Sequence, residues 1–286
     1  MAMTIRETLH EAVQVLTQAG LVSPRLDAEV LLAHSLGQSR VFLFAHPEQE
    51  LMEGQVQAYR HNVSRRVLKE PVAYIVGCKE FWSLPLNVDK RVLIPRPETE
   101  ILVEEALKIA AGFDNVAARI LDVGVGSGAI SLALASELKH AHIVAIDVSP
   151  EAITVAESNA RKLGLEHRVS FVVGDLTRPL TGAFDMIVSN PPYIAAPDMA
   201  DLPEGVKGFE PHGALDGGPD GLFFYKGLVC EGENRLKKGG WLLMEIGAGQ
   251  KDPLEEILRE SCLYDEIRFC EDYAGFDRVV LARRWW

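Results

Sequence analysis

Cysteine is scarce in this sequence, and what there is forms no pattern. Cys78, Cys230, Cys262 and Cys270 are the only four in 286 residues. No paired spacing joins them, which argues against a metal site and against a disulfide framework. Reduced, structural thiols fit a cytoplasmic protein. No apolar run is long enough to cross a bilayer, so no membrane association is expected. The start, MAMTIRETLHEAVQ, carries charges throughout and lacks the apolar stretch of a signal peptide. Internal repeats and low-complexity tracts are missing too. So is any excess of positive charge: 29 Lys and Arg face 41 Asp and Glu, for a net charge of −12. Residues 1–90 are nearly balanced, with nine basic and ten acidic side chains, so the excess acid lies beyond them. Such a surface repels a phosphate backbone and argues against direct nucleic-acid binding. One local exception is Arg60, Arg65, Arg66 and Lys69, read as a solvated helix face with a docking patch as the alternative.

What is present supports a folded core. Hydrophobic residues make up 48% and charged residues 24%, enough for a core and too apolar for disorder. The first seventy residues show helical patterning only. Ile5, Leu9, Val13 and Leu16 recur at three- and four-residue spacing. Ser23-Pro24 reads as an N-cap and first-turn pair for a second helix ending at Gly37. A short helix is expected around Val41–Phe44 and a longer one over 53–68. Residues 72–94 alternate apolar and polar and contain turn formers, which predicts a β-hairpin linker. Beyond it, helices and strands alternate: RILDVG, HIVAID, VSFVVG, FDMIVS and GWLLMEI read as strands. That alternation predicts an α/β domain with a mostly parallel sheet covered on both faces. The last two strands, EIRFC and RVVLAR, are close enough to form an antiparallel edge. The expected domains are 1–71, 72–94 and 95–286.

A cofactor site is legible at the strand ends. ILDVGVGSGAI sets Gly124, Val125, Gly126, Ser127 and Gly128 between a strand and a helix. Glycines let the chain turn tightly and let a ligand approach the backbone. Asp147 ends the next strand and suits two ribose hydroxyls. Asp175, with Leu176 after it, ends the third and is placed to face an adenine edge. A dinucleotide wants G-x-G-x-x-G and a phosphate on the helix start. Here the third glycine comes one residue early, and Asp122 precedes the first, where it would repel phosphate but could help hold an ammonium. S-adenosylmethionine, with an amino-acid end and no phosphate, fits better. No metal ligand set is predicted.

The fourth strand runs into Asn190-Pro191-Pro192-Tyr193. Asn190 offers one carbonyl acceptor and two amide donors. Pro191 and Pro192 stiffen the segment and present carbonyl oxygens only. Tyr193 adds an aromatic face. The set suits gripping a planar group that bears an NH2, although a proline-rich turn would also account for the tetrapeptide by itself. No histidine stands beside it to act as a base.

Taken together, PVAYIVGCKEF (71–81), VLIPRPETEILVE (92–104), LDVGVGSGAISLALA (121–135), FDMIVSNPPYI (184–194), FEPHGALDGGPDGLFFY (209–225) and DYAGFDRVV (272–280) resemble the HemK-type (PrmC) glutamine N5-methyltransferases. The resemblance spans nearly the whole chain. It departs at Val123 and Val125, where Leu and Thr are commoner, and at Leu176, where some members carry an aromatic. It implies a class I S-adenosylmethionine-dependent methyltransferase domain, Rossmann-like, behind a small all-helical substrate-recognition domain. It implies methyl transfer to the side-chain nitrogen of the glutamine in the Gly-Gly-Gln loop of class I peptide chain release factors. On this reading Asn190 and Pro191 clamp the amide, Tyr193 stacks on it, and Glu210 and Pro211 shape the substrate channel. Arg96 and Glu98 are read either as an ion pair that caps a helix or as groups ordering the cofactor or the NPPY loop. Phe81 and Trp82 are interdomain core or substrate wall. The rivals are a glutamine methyltransferase of a ribosomal protein, an adenine-N6 methyltransferase on nucleic acid, a dehydrogenase, and a non-catalytic cofactor-binding scaffold.

Overall fold

A computed structural model describes residues 3–113 and 117–285. The chain divides into two compact units, Met1–Cys78 with Pro203–Phe209, and Lys79–Leu202 with Glu210–Trp286. The boundary after Cys78 falls inside the stretch expected to be a linker.

The smaller unit is built on α1 (Ile5–Gln18), α2 (Pro24–Leu36), α3 (Arg40–Ala45), α4 (Glu53–Val67) and α5 (Val72–Val76), with α9 (Glu204–Lys207) from the later segment. Its core buries Ile5, Leu16, Leu31, Leu32, Leu43 and Tyr59. Each such side chain contributes about 1.5–3 kcal/mol on leaving water. The unit is not purely helical: β1 (Met3–Thr4) pairs antiparallel with β2 (Glu50–Leu51). Two residues per strand leave no alternation for a sequence pattern to show. Ser23 stands at the N-cap of α2 with Pro24 in the first turn, as expected, but its hydroxyl donates to Asp27 Oδ1 at 2.8 Å and makes no cap bond to the helix backbone. The basic cluster on α4 is not a free patch. Arg60 pairs with Glu11, Arg65 with Glu70 and Arg66 with Asp27, and Lys69 donates to the Ala19 carbonyl.

The larger unit opens with a hairpin of β3 (Cys78–Phe81) and β4 (Leu84–Asn87). Its two-residue turn, Trp82-Ser83, holds φ of 51° and 58°, the primed geometry that matches strand twist. The Trp82 N–H donates to Glu100 and its indole N–H to Glu137, both at 2.8 Å, and these bonds hold the turn. The hairpin is shorter than the predicted 72–94, because 72–76 coil into α5 and 88–96 are irregular apart from turns.

The remaining elements form the expected α/β fold. In chain order they are α6 (Glu100–Ala110), β5 (Arg119–Val123), α7 (Ala129–Glu137), β6 (His142–Asp147), α8 (Pro150–Leu163), β7 (Val169–Val173), β8 (Phe184–Ser189), α10 (Phe223–Arg235), β9 (Leu236–Glu245), α11 (Lys251–Glu260), β10 (Tyr264–Glu271) and β11 (Asp277–Arg284). The sheet runs β10-β11-β9-β8-β5-β6-β7, parallel except where β11 pairs antiparallel with β9 and β10. Alternate residues point to opposite faces. Ile120, Ile143 and Met186 pack beneath α6, α7, α8 and the hairpin residues Phe81 and Leu86. Leu121, Val144 and Ile187 pack against α10 and α11. Phe81 thus lies in the core of this unit, and Trp82 packs at its edge with its indole on Glu137.

The chain leaves β5 toward β6 on one side and returns through β8 to the other. The crevice at the carboxyl ends of β5 and β8 is therefore a topological switch point, where open α/β sheets bind ligands. No described helix is long and apolar enough to cross a membrane.

Candidate active site

Val123 and Ser189 are register partners on parallel strands, so Gly124 and Asn190 leave the sheet side by side. They open onto a cavity of about 390 Å³. Gly124, Val125, Gly126, Ser127, Asp147, Asp175, Leu176, Asn190, Pro191, Pro192 and Pro211 all line it. Val123, the departure from the family pattern just before the loop, lines it as well. Most of the residues expected at the site are therefore brought together. Gly128 sits behind them as the residue preceding α7.

The glycine loop presents main chain to the cavity. Gly126 holds φ of +53°, and an added Cβ there would meet no atom within 4 Å. A side chain at Gly126 would therefore take ligand space while gaining no packing. Asp147 is tied to the same loop: Oδ2 accepts from the Gly126 N–H and Oδ1 from the Ser149 N–H, each at 2.9 Å. Burial raises its pKa, and those backbone donors pull it back down. Buried Asn159 on α8 braces the loop by donating to the Ser127 carbonyl at 2.9 Å. Leu176 holds a left-handed φ of 48°. Asp175 pairs with Arg178 at 2.6 Å.

Asp122 is corrected. It is fully buried and does not line the cavity. Its Oδ2 accepts from the Ser131 N–H at 3.1 Å and hydroxyl at 2.6 Å, while Oδ1 has no partner among the described residues. Burial pushes its pKa up to about 7, against the pull of Ser131. These bonds fasten it to α7.

Tyr193 and Glu210 are corrected likewise. The Tyr193 ring does not line the cavity; its hydroxyl lies 3.3 Å from Glu245 Oε1. Burial first, then the Glu245 charge, raises the phenol pKa. Glu210 is also buried, with Oε1 accepting from Arg96 Nη2 at 2.5 Å and Oε2 from the Ile94 N–H at 3.1 Å. Arg96 lines the cavity, so Glu210 acts through Arg96 and Pro211 alone of the pair faces the ligand space. The alternative of an Arg96–Glu98 pair gives way to this longer-range one.

Several partners are invisible in any single motif. Asn190 Nδ2 donates to Thr99 Oγ1 at 3.2 Å, and the Thr99 hydroxyl donates to Glu245 Oε2 at 2.6 Å. Gln250 donates to the Tyr193 carbonyl at 2.9 Å. A Cβ on Gly221, whose φ is +74°, would come within 2.5 Å of that carbonyl, so the glycine-rich ALDGGPDGL stretch exists to let the NPPY backbone pass. Thr99 stands inside IPRPETE and Glu245 at the end of the fifth strand, which are the only hints the sequence offers.

The donor set fits S-adenosylmethionine. Asp147 gives acceptors for hydroxyls, the glycine loop gives backbone approach, and Ile130, Leu176 and Leu228 give apolar walls for a base. Among the described residues Arg91 and Arg96 are the cationic ones lining it. Among the described residues no group of three or more His, Cys, Asp or Glu gathers to hold a metal.

Comparison with known proteins agrees. Residues 7–77 match the PrmC N-terminal domain model and residues 114–271 a methyltransferase domain model. A release factor glutamine methyltransferase of Koribacter versatilis is 41% identical over 284 residues, covering 99% of both chains. One from Vibrio cholerae is 43% identical over 285 residues, covering 99% of this chain and 98% of the relative. A solved methyltransferase from Pyrococcus furiosus aligns with a TM-score of 0.53 at 18% identity, over 79% of this chain and 99% of that one. At that identity it speaks for the fold alone.

Proposed function

This chain belongs to the release factor glutamine methyltransferase family, and from that premise we infer that it methylates the N5 nitrogen of the glutamine in the Gly-Gly-Gln loop of class I release factors. S-adenosylmethionine is the methyl donor of such a domain. The observation that carries the reading is the sharing of one cavity: Asn190, Pro191 and Pro192 line it together with the glycine loop and Asp147.

An amide nitrogen is a poor nucleophile because its lone pair is delocalised into the carbonyl. No base is needed if the nitrogen is held and polarised. Asn190 Oδ1 and the Pro191 carbonyl each accept one hydrogen of the incoming NH2, which moves electron density onto nitrogen and aims it. Alignment of this kind is worth about 7–11 kcal/mol in favourable systems. When bound, the cofactor would supply a methyl group on a positively charged sulfur able to leave as a neutral thioether. The new N–C bond forms from the amide lone pair, and the surplus proton passes to water. Asp147 holds the nucleoside end through its carboxylate, and Arg96, fixed by Glu210, forms part of the wall near the reacting groups.

Tyr193, placed on Glu245, serves to hold the segment and does not stack on the substrate amide. The smaller helical unit serves to recognise the protein substrate. The acidic balance of the chain supports a protein partner over a nucleic acid, and a partner that works in translation supports a cytoplasmic location. Incubation with labelled cofactor, a purified release factor and, separately, RNA and DNA tests the reading. Label on the Gly-Gly-Gln glutamine is the expected result; an unlabelled release factor, or label on adenine, overturns it.

A further inference from the structure

We propose that Thr99 and Glu245 are positioning residues that lock the side-chain amide of Asn190 with its oxygen turned to the cavity. The inference rests on the functional reading above and concerns residues that reading leaves without a role.

The argument is one of proton count. A carboxylate only accepts hydrogen bonds, and a hydroxyl has a single proton to give. The Thr99 proton is spent on Glu245 Oε2 at 2.6 Å. Thr99 therefore meets Asn190 with a lone pair, and only the Nδ2 end of the amide can satisfy it, at 3.2 Å. The reversed amide would set two acceptor oxygens against each other. The nitrogen end is thus turned into the protein, with one of its hydrogens on Thr99. The oxygen end, which accepts no hydrogen bond from any described residue, is left as the acceptor for a substrate NH2. Asn190 by itself could present either end to a ligand, and the two ends look alike in shape. The relay converts that ambiguity into a fixed acceptor before substrate arrives, the condition for preorganised catalysis.

The order of the relay depends on the charge of Glu245. Its surroundings come from several elements: Thr99 from the turn before α6, the Tyr193 hydroxyl at 3.3 Å after β8, the Tyr225 hydroxyl of α10 on its main-chain oxygen at 3.2 Å, and Arg278 of β11. Burial, with a smaller push from Glu98, raises the Glu245 pKa against the pull of Thr99, Arg278 and Tyr193, to about 6 in all. Above that value the carboxylate holds the Thr99 proton and the amide is locked. Below it, a protonated Glu245 no longer dictates the direction of the Thr99 hydroxyl, and the amide is free to reverse.

Turnover and a substrate-free measurement test this together. With cofactor and release factor saturating, Thr99→Val should lower kcat at least about tenfold while the cofactor Kd and release-factor KM change less than about twofold, and Thr99→Ser should return kcat to within about threefold of wild type. The wild-type kcat should fall as pH drops through about 6, and Glu245→Gln should lose that limb. Side-chain amide NMR of Asn190 should titrate over the same range in the wild type and stay flat in Thr99→Val. An unchanged kcat in Thr99→Val, a loss that Thr99→Ser does not repair, or an Asn190 resonance indifferent to pH overturns the proposal. If the wild type leaves the release-factor glutamine unlabelled, the functional reading fails, and the Asn190 titration still decides the relay.

Discussion

The two halves of the cavity are made by different means. On the β6 side, backbone forms the site: a glycine loop, a carboxylate bonded to that loop, and a helix start. On the β8 side, side chains form it through long-range bonds. Asn190 is held by Thr99 and Glu245, the Tyr193 main chain by Gln250 and Gly221, and Arg96 by Glu210. The first arrangement binds a constant cofactor and tolerates no side chain in the ligand's path. The second must orient a weak nucleophile, which requires polar groups whose direction is set in advance.

The comparison predicts where each substitution is felt. The largest effect belongs to Asn190→Ala, which removes the acceptor from the β8 half. Its kcat should fall by about 100-fold or more with cofactor affinity preserved, as read by steady-state kinetics beside a binding titration. Equal losses in both would erase the distinction between the halves. Asp147→Ala attacks the other half and should weaken cofactor binding by about 10- to 100-fold, since hydrogen bonds to a charged group are worth about 1.5–3 kcal/mol. Its kcat at saturating cofactor should stay near wild type.

Next comes pH. Glu245 has a folded pKa of about 6, above its ordinary 4.5, so the unfolded chain ionises first as pH rises. The stability this group lends is complete below about 4.5 and lost through about 6, a change on the order of 2 kcal/mol. Denaturant melts of wild type and Glu245→Gln at both ends of that window should diverge accordingly. Buried Asp122, raised to about 7, works in the same direction. Activity at Glu245 runs the opposite way, because the working form is the ionised one.

Glycine substitutions sharpen the contrast further. Gly221→Ala should cost about 1–3 kcal/mol of stability, because its Cβ would strike the Tyr193 carbonyl. Gly126→Ala meets open space and should cost only about 1 kcal/mol from its positive φ, yet it should impair cofactor binding more than Gly221→Ala does. The smallest effect is expected at Tyr193→Phe, which leaves the cavity lining intact. It should change kcat less than about fivefold, and a drop of a hundredfold would return its ring to the substrate.

The same division explains how much could be read from the sequence. Apolar runs separated by turns announced the α/β sheet, and glycine spacing with Asp147 announced the cofactor half, because both are local patterns. Asn190 was legible because its prolines mark it. The relay was not, since Thr99 and Glu245 are 146 residues apart and meet only after the sheet assembles. The Tyr193 ring suggests a substrate contact, but nothing near it in the sequence shows the Glu245 carboxylate that takes its hydroxyl. The place of Asp122 in the motif suggests help in holding an ammonium, whereas Ser131, nine residues on, bonds its buried carboxylate. The β1–β2 pair was too short to leave a periodic trace.

The account stands most directly on mapping the modified atom. Wild-type protein, methyl-labelled S-adenosylmethionine and a purified release factor should yield one methyl group on the side-chain nitrogen of the Gly-Gly-Gln glutamine, located by peptide mass mapping. A methyl group found on another residue of that factor, or none on the factor at all, would contradict it.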